Sequence, residues 1–138
     1  LFSHILCDRG FEKKVKNIDL DPVCKMIGKK LCLFDNIDFE TGDGLNIFTN
    51  EKRNRKSKIV VCTACEHIDS EELYFYLNHK NEDMLVCLQS NNYYEVDSHI
   101  NCHDSLQDFI KSLPLKTILY SGTKRYKDDY DRFMVIGK

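Results

Sequence analysis

No apolar stretch among these 138 residues approaches the roughly 18 to 20 consecutive positions a membrane-spanning helix needs, so contact with a membrane is not expected. A charged, apolar and small-residue succession of the secretory type is missing too, which argues against a signal peptide. The chain opens Leu-Phe-Ser-His with no initiator Met, and we expect it to be a piece of something longer. Internal repeats and low-complexity tracts do not occur, which argues against repeat architectures. The glycine spacing of a phosphate-binding P-loop is absent as well, and with it the simplest route to nucleotide chemistry.

What is present bounds the chain further. With 42% apolar and 30% charged residues it reads as globular, and its length suits one domain with a real core. The net charge of −2 is unevenly spread, because Glu51 to Lys58 holds five cations against one anion. Nucleic acid could therefore meet only a patch. Seven cysteines is an odd number, and Cys24, Cys32, Cys62 and Cys87 sit among aliphatic or Met neighbours. That is the pattern of free thiols in a reducing compartment, so an intracellular location is expected, nucleus ahead of cytoplasm.

The element order follows from caps, turns and periodicity. Leu1 to Cys7 suits a short helix or strand, and Asp21-Pro22 predicts a helix start, with Val23, Met26, Ile27, Leu31 and Phe34 at helical spacing and Gly28 weakening the middle. A strand over Leu31 to Phe34 is the alternative. Thr41-Gly42-Asp43-Gly44 lies between alternating flanks and predicts a hairpin. From Lys58 the pattern sharpens. Ile59 to Cys62 reads as a central strand buried on both faces, and Asp69 with Glu72 opens a helix to about Lys80. Strands follow at Met84 to Leu88 and Tyr93 to Val96, then a helix from Asp104 that Pro114 ends. Lys116 to Tyr120 reads as a strand, Thr123 to about Arg132 as a polar helix, and Phe133 to Ile136 as a last strand. The fold class is α/β: one three-layer domain over 57–138 with a central, mostly parallel sheet in the order β-α-β-β-α-β-α, preceded by a helix-and-hairpin extension over 1–56.

Four groups of residues could carry chemistry. Cys62-x-x-Cys65 with His67, and His99 with Cys102 and His103, hold zinc-ligand types, although Cys62 falls inside a strand; buried thiols are expected, with no metal or other cofactor. Ser121, Gly122, Thr123, Lys124 and Arg125 stand where the fourth strand gives way to the expected polar helix, and free N–H donors with two cations could hold an anion there. Lys52, Arg53, Arg55, Lys56 and Lys58 form a run without aromatic interleaving, which fits phosphate contact or a nuclear-import signal. Asp128, Asp129 and Asp131 could serve a metal-dependent nucleic-acid-processing or nucleotide-binding enzyme, but equally form the wet face of an amphipathic helix.

The order of elements after Lys58 resembles that of BRCT modules in sequence of elements only, over about 80 residues by periodicity. That resemblance implies a non-enzymatic interaction module of a larger protein. Its partner would be another protein or peptide, phosphorylated in many such modules, bound by Ser121 to Arg125 and by an aromatic groove at Tyr74, Tyr93 or Tyr94. The enzyme built on Asp128, Asp129 and Asp131 is the alternative.

Overall fold

The computed structural model describes residues 2–127 and 129–138. These form two compact units that divide between Asn46 and Ile47, each with its own sheet. None of the helices described is long and apolar enough to cross a membrane.

The first unit contains helix α1 (Phe2–Asp8), strand β1 (Val15–Asp19), helix α2 (Pro22–Leu31) and strand β2 (Ile37–Thr41). β1 and β2 pair in parallel from Val15↔Ile37 to Asp19↔Thr41, with α2 as the crossover. α2 begins where expected: Asp21 Oδ1 accepts from Val23 N at 2.8 Å, Pro22 fills the first turn, and Lys29 and Lys30 lie at the carbonyl end, where cations are favoured. Gly28 has a packing reason to interrupt this helix, since a Cβ there would overlap the ring of Phe39 on β2. Asn36 joins the loops that precede the two strands, its Nδ2 donating to the carbonyls of Phe11 at 3.1 Å and Lys13 at 3.0 Å.

The hairpin expected around Thr41 to Gly44 is not formed. β2 takes its partner from β1, and the far flank becomes the helical turn α3 (Asn46–Thr49), which straddles the division between the units. No strand forms over Leu31 to Phe34, because α2 runs through Leu31.

The second unit continues with α4 (Glu51–Lys56), β3 (Ile59–Cys62), α5 (Ser70–Asn78), β4 (Leu85–Asn91), α6 (Leu106–Ser112), β5 (Ile118–Tyr126) and β6 (Tyr130–Gly137). Its sheet has the order β3-β4-β6-β5, with β3 parallel to β4 and both remaining pairs antiparallel. Asp69 caps α5 by accepting from Glu71 N and Glu72 N, and Ser105 rather than Asp104 caps α6 by accepting from Asp108 N. Alternate residues of β4 and β6 point inward: Val86, Leu88 and Ser90 from one, Phe133 and Val135 from the other. They share the buried interior with Leu73, Leu77, Met84, Phe109 and Leu113.

Three expectations for this unit need correction. β3 is an edge strand rather than the central one, so Ile59 and Val61 keep 52% and 37% of their surface exposed. Tyr93 to Val96 forms no strand and belongs to the long loop after β4. The polar helix over Thr123 to Arg132 is a hairpin of β5 and β6, paired from Ile118↔Gly137 to Tyr126↔Tyr130, with Lys127 at φ 47 in its turn. From residue 58 the order is therefore β-α-β-α-β-β.

Candidate functional site

In α/β sheets, ligands bind outside the carboxyl ends of parallel strands. In the second unit that end of the β3/β4 pair carries Thr63 to His67 on one side and Asn92 to His103 on the other. Polar side chains are buried here in unusual density: Glu66, Ser90, Asn91, Asn101 and His103. Burial of such groups is tolerated when each finds a partner. Asn91 Nδ2 donates to Glu66 Oε1 at 2.8 Å, while its Oδ1 accepts from Tyr93 N at 2.9 Å and Cys102 Sγ at 3.3 Å. Asn101 N donates to the Glu66 carbonyl at 3.0 Å, and Ser90 Oγ donates to the Asn101 carbonyl at 3.1 Å. Arg132 on β6 donates to the Thr63 carbonyl at 3.1 Å and stands 3.8 Å from Glu66 Oε1. Glu66 Oε2 is the exception, buried without a hydrogen-bond partner among the described residues.

Two histidines complete this end of the sheet. His67 Nδ1 is 3.0 Å from the Ser98 carbonyl and His99 Nδ1 is 2.6 Å from the Tyr93 carbonyl. Their rings meet edge to face with centroids 4.7 Å apart, and Tyr93 stacks on Tyr130 at 4.9 Å. Cys65 Sγ donates to the Cys62 carbonyl at 3.9 Å, and the neighbouring Cys65 thiol holds the Cys62 pKa below the ordinary thiol range, while the Cys62 thiol and full burial push Cys65 up. Tyr94, which donates to Asp104 Oδ1 at 2.7 Å, is pushed up to about 12 by desolvation and by that carboxylate.

His103 lies between Ser112 Oγ, 3.1 Å from its Nε2, and Ser90 Oγ, 3.5 Å from its Nδ1. Ser112 and Ser90 donate their hydroxyl protons to carbonyls, so each Oγ is left as an acceptor for a ring N–H of His103. Burial lowers the His103 pKa, against the opposing pull of Asp108 and Asp104. The unfolded chain takes up this proton near pH 6.5 and the folded one only at lower pH. Stability from this group is therefore complete above about pH 6.5 and is lost as the pH falls through the folded-state value. Melting temperatures measured from about pH 8 to about pH 5 should fall over the acidic part of the range, and H103Q should reduce the fall; equal slopes in the two proteins would clear His103 of the effect.

In the first unit the corresponding end of the β1/β2 pair carries carboxylates. Asp19 is the last residue of β1 and is exposed; its Oδ1 accepts from Asp21 N at 2.9 Å, and its carbonyl accepts from Gly42 N at 2.9 Å. Asp43 Oδ1 accepts from Leu45 N at 2.8 Å and shapes the loop after β2. A Cβ on Gly42 or Gly44 would meet nothing within 4 Å, so the space beside this loop is open.

The residues singled out from sequence are dispersed. Ser121 to Arg125 lie within the edge strand β5 and not at a helix start, which removes the dipole and free N–H groups that the anion site relied on. Lys52, Arg53, Arg55 and Lys56 ride on α4, capped by Asn50, and Lys58 precedes β3. Asp128 lies outside the described residues; Asp131 pairs with Arg125 at 3.2 Å across the hairpin, and neither Asp129 nor Asp131 falls in a ligand cluster of the described residues. Of the six zinc-ligand candidates, His67 and His99 come together, joined by Glu66, while Cys62, Cys65, Cys102 and His103 take no part in that cluster. Glu66 escaped notice because only the parallel pairing of β3 with β4 brings its carboxylate to Asn91 and the histidines. The Glu-His pair at a strand end was its one local signal.

No known family's sequence pattern matches the chain, and no curated protein resembles it in sequence. Solved structures resemble it in fold. A SAM-dependent methyltransferase from Anabaena variabilis ATCC 29413 superposes with a TM-score of 0.69 at 15% identity, covering 99% of this chain and 72% of its own. A methyltransferase candidate from Thermobifida fusca YX gives a TM-score of 0.59 at 10% identity, covering 91% of this chain and 63% of its own. The likeness shows the fold class, a three-layer α/β fold. Methyltransferase neighbours overturn the BRCT-like reading: the expectation of a non-enzymatic interaction module, with a protein or phosphopeptide partner, is corrected, since it rested on an element order the chain does not have. Asp129 and Asp131 belong to the β5–β6 hairpin, so the expectation that these acids form the wet face of an amphipathic helix is corrected.

Proposed function

We propose that this chain is an S-adenosylmethionine-dependent methyltransferase domain in which Asp19 accepts hydrogen bonds from the ribose of the cofactor. The observation that carries the reading is the likeness to the Anabaena variabilis enzyme over 99% of the chain. The residues present fit the group. A carboxylate at the carboxyl end of a parallel strand, followed at once by a helix start, is the arrangement by which α/β folds take the hydroxyls of a nucleoside. S-adenosylmethionine has no phosphate, so the missing P-loop spacing is no obstacle. Bound, it would supply an electrophilic methyl group on a sulfonium. Asp19 would orient the ribose, the Asp21 amide would hold Asp19 through Oδ1, and the open side of the Gly42 to Gly44 loop would leave room for a flat base.

Calorimetry with S-adenosylmethionine and its demethylated product should give saturable binding to the intact chain. Asp19→Ala should weaken it about 10-fold to 100-fold, the loss of one or two hydrogen bonds to a charged group. Asp19 is exposed, so the variant should melt like the parent. Absence of saturable binding would refute the methyltransferase reading; equal affinity in the variant would refute the role of Asp19 alone.

A further inference from the structure

We infer that Glu66, His67 and His99 form a binding site for a divalent transition-metal ion, with coordination positions left open for oxygen donors. The inference stands on the side chains of the second unit and does not depend on the methyltransferase reading. The ligand atoms that these three residues offer lie within 4.8 Å of one another. A tetrahedral ion bound at 2.0–2.2 Å sets its ligands about 3.4 Å apart, so the three side chains would draw together to close the site.

Three observations make this more than a chance grouping. The first is the orphaned Glu66 Oε2, on a carboxylate whose side chain is only 5% exposed. Oε1 is occupied by Asn91 and has Arg132 at 3.8 Å; Oε2 has nothing among the described residues, and a buried carboxylate oxygen without a partner is costly. A metal ion held by that oxygen would satisfy it. The second is the state of the imidazoles. A carbonyl only accepts, so the contacts to Ser98 and Tyr93 require hydrogen on both Nδ1 atoms, which leaves each Nε2 with a free lone pair in the neutral ring. Ligating histidines are typically held in this way, the second nitrogen donating to a carbonyl that fixes tautomer and ring angle. The third is position, because the three residues stand at the carboxyl ends of the parallel pair, where ligands of α/β folds gather.

The donor set indicates which ions fit. Two imidazoles and one carboxylate suit zinc, iron(II), cobalt or nickel, whereas calcium and magnesium take oxygen ligands and would gain little from two nitrogens. Three protein ligands also leave a tetrahedral or octahedral ion incomplete, as in reactive sites rather than structural ones. His67 is exposed and His99 half-buried, so small oxygen donors can reach them. The cysteines are excluded from the set: Cys65 is fully buried and Cys102 donates to Asn91 and Tyr93.

The test is a zinc titration of the intact chain against a competing chromophoric chelator, repeated with cobalt for its visible spectrum. One equivalent should bind, and the cobalt spectrum should lack the intense charge-transfer band of thiolate ligation. His67→Asn and His99→Asn should each lower zinc affinity about 100-fold or more, while Cys62→Ser leaves it unchanged; loss of a mere supporting contact would already cost 10-fold to 100-fold. Both histidines are at least partly exposed, so these variants should keep the parent's melting curve, whereas Glu66→Gln, in the buried network, serves only as a secondary check. Failure to bind one equivalent overturns the proposal, as does affinity equal to the parent's in either histidine variant or loss of binding in Cys62→Ser.

Discussion

Asn91→Leu should lower the stability of the second unit by about 3 kcal/mol, since it strips a buried carboxylate of its closest hydrogen-bond donor and two further donors of their acceptor. Leucine keeps asparagine's branching, so no cavity forms, and its bulkier methyl groups add an overpacking cost to the lost hydrogen bonds. Glu66 Oε1 would keep only Arg132 at 3.8 Å, and Oε2 has no hydrogen-bond partner among the described residues to begin with. The double variant Asn91→Leu, Glu66→Leu should recover part of the loss, because replacing both members of a buried polar pair costs less than breaking it. Chemical denaturation of the two variants checks this. A loss below about 1 kcal/mol for Asn91→Leu would mean the network is solvated and not buried as described.

Gly28→Ala is expected to go against the helix-propensity rule. In an exposed helix interior, alanine stabilises by about 1 kcal/mol over glycine. Here the added methyl would overlap the Phe39 ring, and forcing the ring or the helix aside should turn the gain into a loss of about 1 to 3 kcal/mol. Phe39→Ala should remove the clash, so that Gly28→Ala stabilises when made in the Phe39→Ala background. A stabilised single variant would show that α2 and β2 do not approach so closely.

The elements legible in the sequence are those defined by local chemistry. Asp21 with Pro22 and Asp69 with Glu72 announce helix starts because capping needs only neighbours within three residues. The Val86, Leu88, Phe133 and Val135 core follows from apolar runs in the same direct way. What was misread depended on pairing over distance. Thr41 to Gly44 has the composition of a hairpin turn, but β1, with only Val15 and Ile18 as its aliphatic residues, offered β2 a parallel edge instead. Tyr126, Asp129, Tyr130 and Phe133 fit a helical face, yet the same residues fit a hairpin in which Tyr126 faces Tyr130 and Thr123 faces Phe133. Spacing alone does not separate these, and the open edge of β6 decides. The candidate site was half legible for the same reason: His67 and His99 stood out as ligand types, whereas Glu66 acquires meaning only through Asn91, 25 residues away on the neighbouring strand.

The most direct measurement is a nitrogen-15 amide spectrum of the intact chain titrated with the demethylated cofactor product. Saturable shifts should concentrate at Asp19, Leu20 and Asp21 and at Gly42, Asp43 and Gly44, the carboxyl ends of β1 and β2. No saturable shifts, or shifts that leave both of those loops untouched, would contradict a cofactor site there.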